Sequence, residues 1–297
     1  MLDGPTIREV CLQAAAFLER SGATEPARHA EWLVCHALAW DRSRLFLDWG
    51  RPFPQPLREG LRAMVERRAQ GEPVQYIIGE QEFYGLVFDV EPAVLIPRPE
   101  TELLVEEMIR LGRRWEAMTG RAPEVADIGT GSGAIAVTLA ARCPNWRVFA
   151  SDISTAALAV AERNAQRNGV GDRVSFYQGN LLQPYIERGI APDLLVSNPP
   201  YIRSADVPGL QVEVAQYEPK LALDGGADGL DLYRQIVAQL SELPRLPDGV
   251  GFEVGQGQAF EVQKLLEGGG LYHEVRIVKD LADIDRHVIG LRQKMID

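Results

Sequence analysis

Two short stretches of this 297-residue chain carry residue types that can do chemistry. The first is Asp127-Ile128-Gly129-Thr130-Gly131-Ser132-Gly133. Closely spaced glycines permit a tight turn and let a ligand come up against the backbone. Asp152 follows at the end of the next expected strand, where its carboxylate can accept hydrogen bonds from both hydroxyls of a ribose. Gly129, Gly131 and Ala134 also satisfy the degenerate dinucleotide fingerprint. The loop by itself therefore leaves NAD and S-adenosylmethionine open. Asp127 tilts the choice toward the latter. It can hold the ammonium of an amino-acid ligand, directly or through water, and a dinucleotide has no such ammonium.

The second stretch, Asn198-Pro199-Pro200-Tyr201, follows the strand-like run Asp193–Ser197. Proline has no N–H, so this turn offers mainly carbonyl acceptors, and the Asn198 side-chain oxygen adds another. Two convergent acceptors suit a planar –NH2 group. Tyr201 offers a flat face on which an amide or a base can stack. The result is a clamp for an amide or an exocyclic amine. The nitrogen of such a group is a poor nucleophile because its lone pair is delocalised. Holding both hydrogens and aligning the nitrogen with a sulfonium methyl lets it pyramidalise as it attacks, so proximity and fixed dipoles supply most of the acceleration. No separate base is needed before transfer, because the nitrogen sheds its proton readily once it is cationic.

These stretches need a scaffold that puts both at one edge. After Gly120, strand-like and helix-like runs alternate: Val125–Ile128, Ala134–Ala141, Val148–Ser151, Ala156–Asn168, Val174–Tyr177, Leu194–Val196, Leu230–Leu240, Val250–Val254 and Ala259–Leu266. That alternation predicts a doubly wound, largely parallel sheet, whose ligands bind beyond the carboxyl ends of the strands. His273–Val278 and His287–Leu291 have no full helix between them and predict an antiparallel hairpin at one edge. Before Gly71 the periodicity is helical. Ile7, Val10, Cys11, Ala14, Phe17 and Leu18 form one stripe, and Thr24 is placed to cap the next helix, with Pro26 at its second position. Leu57, Leu61, Met64 and Val65 mark a third helix. Glu82–Val90 and Ala93–Ile96 read as a short hairpin broken at Glu91-Pro92. A helix then runs to about Leu111.

Composition narrows the classes. Apolar residues make up 46% and charged residues 25%, which suffices for a sizeable core. The net charge of -11, with only four lysines, opposes a duplex-binding role, which usually requires a basic excess. Cys11, Cys35 and Cys143 show no pairing pattern and predict reduced thiols in a cytoplasmic protein. His29, His36, His273 and His287 fall in no metal-ligand spacing, so no metal is expected. No apolar run is long enough to span a bilayer.

The glycine loop, Asp152 and Asn198–Tyr201 together resemble class I S-adenosylmethionine-dependent N-methyltransferases. Within that superfamily the tetrapeptide occurs in DNA adenine methyltransferases and in protein glutamine methyltransferases. Gly71-Glu-Pro-Val-Gln-Tyr76, Gly79, Glu82-Phe-Tyr-Gly85 and Leu95-Ile-Pro-Arg-Pro-Glu-Thr-Glu102 are similar to the HemK-type release factor glutamine methyltransferases. So are Glu218-Pro219, Leu221-Ala-Leu223 and the Gly225-Gly226 and Asp228-Gly229 pairs. The similarity covers nearly the whole chain. A close relative methylates a ribosomal-protein glutamine, and its counterpart of Pro99-Glu100-Thr101 looks different.

The resemblance implies a Rossmann-like class I methyltransferase fold over residues 98–297, with a seven-stranded, mostly parallel sheet and an antiparallel edge hairpin. It implies a small all-helical domain over 1–80 that docks on the substrate protein, and a β-hairpin linker over 81–97. The cofactor would be S-adenosylmethionine and its product S-adenosylhomocysteine. The partner would be a bacterial peptide chain release factor, methylated on the glutamine of its Gly-Gly-Gln motif, with no direct contact to nucleic acid or membrane. Asp127, Gly129, Thr130, Gly131, Ser132 and Gly133 would bind the methionine part and Asp152 the ribose, Ile153 would also bind the cofactor, and Asn180 and Leu181 would lie near the adenine. Asn198, Pro199, Pro200 and Tyr201 would hold the glutamine, with Asn198 also beside the cofactor. Arg98 and Glu100 either border the glutamine pocket or serve as an ordinary ion-pair partner and helix start. Phe83 and Tyr84 either wall that pocket or pack a core.

Overall fold

The computed structural model describes residues 4–268, 270–292 and 295. The remaining positions, among them the first three and last two residues of the expected domains, lie outside the described residues. Two compact units result, one of residues 1–80 with 211–217 and one of residues 81–210 with 218–297.

The first unit is helical: α1 (Ile7–Arg20), α2 (Pro26–Leu38), α3 (Arg42–Leu47), α4 (Arg58–Ala69) and α5 (Val74–Ile78). Thr6 caps α1, its hydroxyl accepting from the Glu9 N–H while the Glu9 carboxylate accepts from the Thr6 N–H at 2.7 Å. Ile7, Cys11, Ala14 and Leu18 turn inward onto Ala30, Leu33 and Val34 of α2 and Leu61 and Val65 of α4. Phe17, at the border of the apolar stripe, stays exposed. Thr24 does not cap α2. Pro26 is the first helical residue, after Glu25 in a left-handed conformation. The Thr24 hydroxyl is needed elsewhere, because the buried Arg68 guanidinium donates to it at 3.0 Å and to Glu213 at 2.6 Å. Glu213 lies in a π-helical turn, Glu213–Tyr217, which the chain contributes to this unit from far downstream. Arg68 also donates to His29 Nδ1, and burial holds that imidazole near pKa 4, neutral and able to accept.

The second unit opens with β1 (Glu80–Phe83) and β2 (Leu86–Asp89), a two-stranded sheet. The hairpin turns at Tyr84-Gly85, not at Glu91-Pro92, and residues 93–96 form no strand. Both turn residues have positive φ, which a two-residue hairpin loop of this hand requires and which glycine accepts without strain. α6 (Pro99–Thr119) runs eight residues beyond the expected Leu111 and stops at Gly120. Then follow β3 (Glu124–Ile128), α7 (Ala134–Arg142), β4 (Arg147–Asp152), α8 (Thr155–Arg167), β5 (Val174–Gln178), α9 (Gln183–Arg188), β6 (Leu194–Ser197), α10 (Asp231–Leu240), β7 (Gly249–Glu253), α11 (Ala259–Glu267), β8 (Glu274–Lys279) and β9 (Asp285–Leu291).

The strands form one seven-stranded sheet in the order β5-β4-β3-β6-β7-β9-β8. β5 through β7 are parallel, while β9 runs antiparallel between β7 and the edge strand β8. Successive side chains alternate between two cores. Val125, Leu194 and Val196 face Leu104 and Met108 of α6 and Val137 of α7. Ala126, Ile128 and Leu195 face Tyr185 of α9, Ile236 of α10 and Val262 of α11. Helices cover both faces, so the central parallel strands β3, β6 and β7 are buried almost throughout.

Candidate active site

Strand order reverses between β3 and β6, the place where an open α/β sheet opens a crevice beyond its carboxyl ends. The glycine loop leaves β3 and the Asn-Pro-Pro-Tyr turn leaves β6 at paired positions, Ile128 opposite Ser197. The Ser197 hydroxyl ties the two ends by donating to the Ile128 carbonyl at 2.6 Å. Stretches some seventy residues apart in the chain are thereby neighbours on one cavity wall.

The loop is shaped by its own backbone. The Gly129 and Thr130 N–H groups both donate to the Ser151 carbonyl at 2.9 Å. Gly129, Gly131 and Gly133 all have φ between 56° and 82°. A Cβ on Gly129 or Gly131 would meet no atom within 4 Å, so their bare faces form an open cradle on the cavity side. A Cβ on Gly133 would press Ala161 at 3.1 Å, which shows that α7 and α8 approach there at the limit.

Two carboxylates hold the loop from either side. Asp152 Oδ2 accepts the Gly131 N–H and Oδ1 the Ser154 N–H, each at 2.9 Å. Both oxygens keep a lone pair for further donors. Burial raises its pKa against those hydrogen bonds. Asp127 is fully buried beneath the loop and is not part of the cavity wall. Its Oδ2 accepts from the Thr130 hydroxyl at 2.6 Å and from the Ala136 N–H at 3.1 Å, while Oδ1 has no partner. Burial pushes this carboxyl up to about 7. An orphaned carboxylate oxygen behind a glycine cradle is the residue pattern that a cationic ligand would complete.

On the β6 side, Asn198 Nδ2 donates to the Thr101 hydroxyl oxygen at 3.2 Å, and Thr101 donates to Glu253 Oε2 at 2.6 Å. Thr101 comes from the first turn of α6 and Glu253 from the end of β7. With Nδ2 engaged, the Asn198 oxygen is left to accept from the cavity. Sequence reasoning missed both partners. The turn itself lies on a bed of glycines. A Cβ on Gly225 would lie 2.7 Å from the Pro200 carbonyl, and one on Gly229 would lie 2.3 Å from that of Tyr201. Gln258 fastens the turn by donating to the Tyr201 carbonyl at 2.9 Å.

The cavity wall brings together Arg98, Gly129, Thr130, Gly131, Ser132, Asp152, Ile153, Asn180, Leu181, Asn198 and Pro200 of the expected residues. Phe83 joins them, packed edge-on to Phe88, whereas Tyr84 does not. Gly133 sits behind the loop. Pro199 is buried, and the Tyr201 ring packs into the apolar core beside α10 and α11 instead of lining the cavity. Arg98 pairs with the buried Glu218, whose other oxygen accepts from the Ile96 N–H. Glu100 is exposed and stands outside the wall, so of the two residues flanking Pro99 only Arg98 reaches the cavity. Among the described residues no cluster of metal-ligating side chains occurs, and no helix is long and apolar enough to cross a membrane.

Comparison with known proteins agrees with this geometry. Residues 9–79 match the family described as PrmC N-terminal domain, and residues 100–216 match the Methyltransferase small domain. A release factor glutamine methyltransferase of Geobacter sulfurreducens is 42% identical over 96% of this chain and 96% of its own. That of Moorella thermoacetica is 40% identical over 97% of this chain and 99% of its own. Among solved structures, the N-terminal domain of human METTL16 in complex with SAH superposes with a TM-score of 0.52 at 16% identity, covering 93% of each chain. That likeness is one of fold.

Proposed function

Since this chain belongs to the release factor glutamine methyltransferase family, we propose that its cavity methylates the side-chain amide nitrogen of the glutamine in the Gly-Gly-Gln motif of bacterial release factors. The observation that carries this reading is the Asn198 carboxamide. Its donor end is tied to Thr101, and its acceptor end is left at the cavity beside the glycine cradle.

The residues present fit S-adenosylmethionine. Gly129 and Gly131 leave room for its backbone-like amino-acid part, and the free Asp127 Oδ1 can take its ammonium. Because Asp127 lies beneath the loop, that contact runs behind the wall or through water. Asp152 retains acceptor capacity for the ribose hydroxyls, and Ile153, Asn180 and Leu181 continue the wall for the adenine. When bound, this cofactor supplies an electrophilic methyl on a cationic sulfur and leaves as S-adenosylhomocysteine.

The chain's own residues do the rest. Asn198 Oδ1 accepts one amide hydrogen of the target glutamine. The Pro199 carbonyl, which accepts no hydrogen bond among the described residues, can take the other. Acceptors fixed in advance favour the nitrogen as it becomes positive, and they cost no reorganisation at that moment. The extra proton on the methylated nitrogen is then acidic and leaves to solvent. Arg98, held by Glu218 through Nη2, borders the pocket with a positive charge and its remaining donors, which suit backbone carbonyls of an incoming loop. The helical unit is the docking surface for the body of the release factor.

Asn198→Ala tests this directly. Loss of one transition-state acceptor lowers kcat by about 100- to 1000-fold. Binding of S-adenosylhomocysteine by calorimetry stays within about threefold, since Asn198 holds none of the loop. Near-normal turnover in that variant would remove the clamp from the mechanism.

A further inference from the structure

A carboxamide has two orientations of nearly equal shape, and only one serves this chemistry. With Oδ1 toward the cavity, Asn198 accepts from the glutamine –NH2. Turned by half a revolution it would present its own –NH2 to a group that has only hydrogens to offer. Something must choose between them, and the choice is visible in the direction of one hydrogen-bond chain. Asn198 Nδ2 donates to Thr101 Oγ1 at 3.2 Å, and the Thr101 hydroxyl spends its single hydrogen on Glu253 Oε2 at 2.6 Å. While it is ionised, the Glu253 carboxylate only accepts, so the Thr101 hydrogen points to it. The Thr101 oxygen is then left as an acceptor, and the side of Asn198 facing it must be the donor.

Glu253 is an expensive residue to place there. It is 1% exposed at the end of a strand whose other residues are apolar, and stripping a carboxylate of water is costly. Burial accordingly pushes its carboxyl up to about 7. The guanidinium whose charge reaches Glu253, that of Arg286, is paired with Asp280 and forms no ion pair with Glu253 among the described residues. Glu253 therefore holds its place through Thr101 and Asn198 more than through an ion pair.

We propose that Thr101 and Glu253 are positioning residues that lock the Asn198 carboxamide with its oxygen facing the cavity, and that Glu253 lends this oxygen negative charge through the intervening hydroxyl. The inference rests on the reading of the cavity as a glutamine methylation site. Chains of this kind polarise each member, so an acceptor at the far end gains strength as the glutamine nitrogen becomes cationic. Thr101 lines the cavity, but its hydroxyl is occupied by Asn198 and Glu253, and Glu253 lies behind it outside the wall.

Three variants test it in the full-length enzyme with a purified, unmethylated release factor. Thr101→Val keeps shape and removes the relay. Glu253→Gln keeps shape, removes the charge, and lets its own –NH2 donate to Thr101, which allows the chain to reverse. Each lowers kcat by about 10- to 100-fold, the worth of a hydrogen bond to a charged group. KM for the release factor and affinity for S-adenosylhomocysteine change by less than about threefold on the same reasoning. Thr101→Ser restores most of the turnover that Thr101→Val loses. The double variant Thr101→Val/Glu253→Gln is no worse than the poorer single one, because one chain is broken once.

A second readout needs no substrate. In protein labelled with 15N, the Asn198 side-chain amide hydrogens exchange slowly in the wild type and quickly in Glu253→Gln. Turnover within twofold of wild type in both single variants would overturn the proposal. So would losses that add in the double variant or appear only as lower melting temperature. A wild type that leaves the release factor unmodified counts against the functional reading, whereas fast exchange at Asn198 in the wild type counts against the dyad.

Discussion

Replacing Asp152 by asparagine changes one atom and removes a charge, yet the geometry makes it a severe change. Asp152 uses both carboxylate oxygens on backbone donors, Oδ2 on Gly131 and Oδ1 on Ser154, each at 2.9 Å. Asparagine has one oxygen. Whichever way it turns, its –NH2 meets a backbone N–H, and one part-buried donor is left without a partner. Such a loss costs about 1–3 kcal/mol, before counting the charge-assisted contact to a ribose. Gly129 and Thr130 still hold Ser151 at 2.9 Å, so the loop persists and the cost falls on the ligand. At 1.4 kcal/mol per factor of ten, S-adenosylhomocysteine binds the Asp152→Asn variant about 10- to 100-fold more weakly. Titration calorimetry measures this, and circular dichroism checks that the melting temperature falls by no more than about 10 °C. Binding within twofold of wild type would show that Asp152 neither shapes the loop nor meets the ligand.

Two further predictions concern the buried side of the loop. In the folded state Asp127 keeps its proton up to about pH 7, while the unfolded chain releases it near 3.8, so its contribution to stability falls as pH rises between those values. Asp127→Asn removes that contribution. Chemical denaturation of the free protein then shows a shallower decline from pH 5 to pH 8, the remainder coming from Glu253, whose carboxyl is also pushed up to about 7. The same variant binds S-adenosylhomocysteine less tightly. An unchanged pH slope would place the burial cost elsewhere. Gly133→Ala puts a Cβ 3.1 Å from the Ala161 Cβ at a φ of 82° and destabilises by about 2–4 kcal/mol, read as a drop in denaturation midpoint. A stable Gly133→Ala variant would mean that α7 and α8 separate easily.

How much of this site is legible in the chain depends on how far apart its parts lie. The glycine loop, Asp152 and the Asn198 turn each sit at the end of one strand, and their chemistry can be read locally. Register does the rest, since Ile128 and Ser197 are paired in adjacent parallel strands. Thr101 and Glu253 carry no such local mark. They lie 152 residues apart in the chain and meet only because α6 begins where β7 ends. The one available signal was a carboxylate closing an otherwise apolar strand, Gly249–Glu253. Glu100 and Thr101 are adjacent on α6, but the helix turns Thr101 inward and Glu100 to solvent, a difference of phase that the motif does not reveal. Thr24 read as a cap because its neighbours suit one. Its true partner, Glu213, belongs to a segment 189 residues later. Tyr201 was expected against the substrate because a ring stacks well. Instead it is half-buried against the core cluster that holds Tyr233 and Phe252, where its ring covers apolar area. Its hydroxyl is pushed up to about 12 by that burial.

The central claim is a methyl on one particular nitrogen. The direct test incubates the pure protein with S-adenosylmethionine and an unmethylated bacterial release factor, then maps the modified residue by peptide mass spectrometry. The account predicts a gain of one methyl group on the side-chain amide of the Gly-Gly-Gln glutamine, and none when Asn198→Ala replaces the wild type over the same time. A release factor unmodified by an enzyme that demonstrably binds S-adenosylhomocysteine, or a methyl on any other residue, would contradict it.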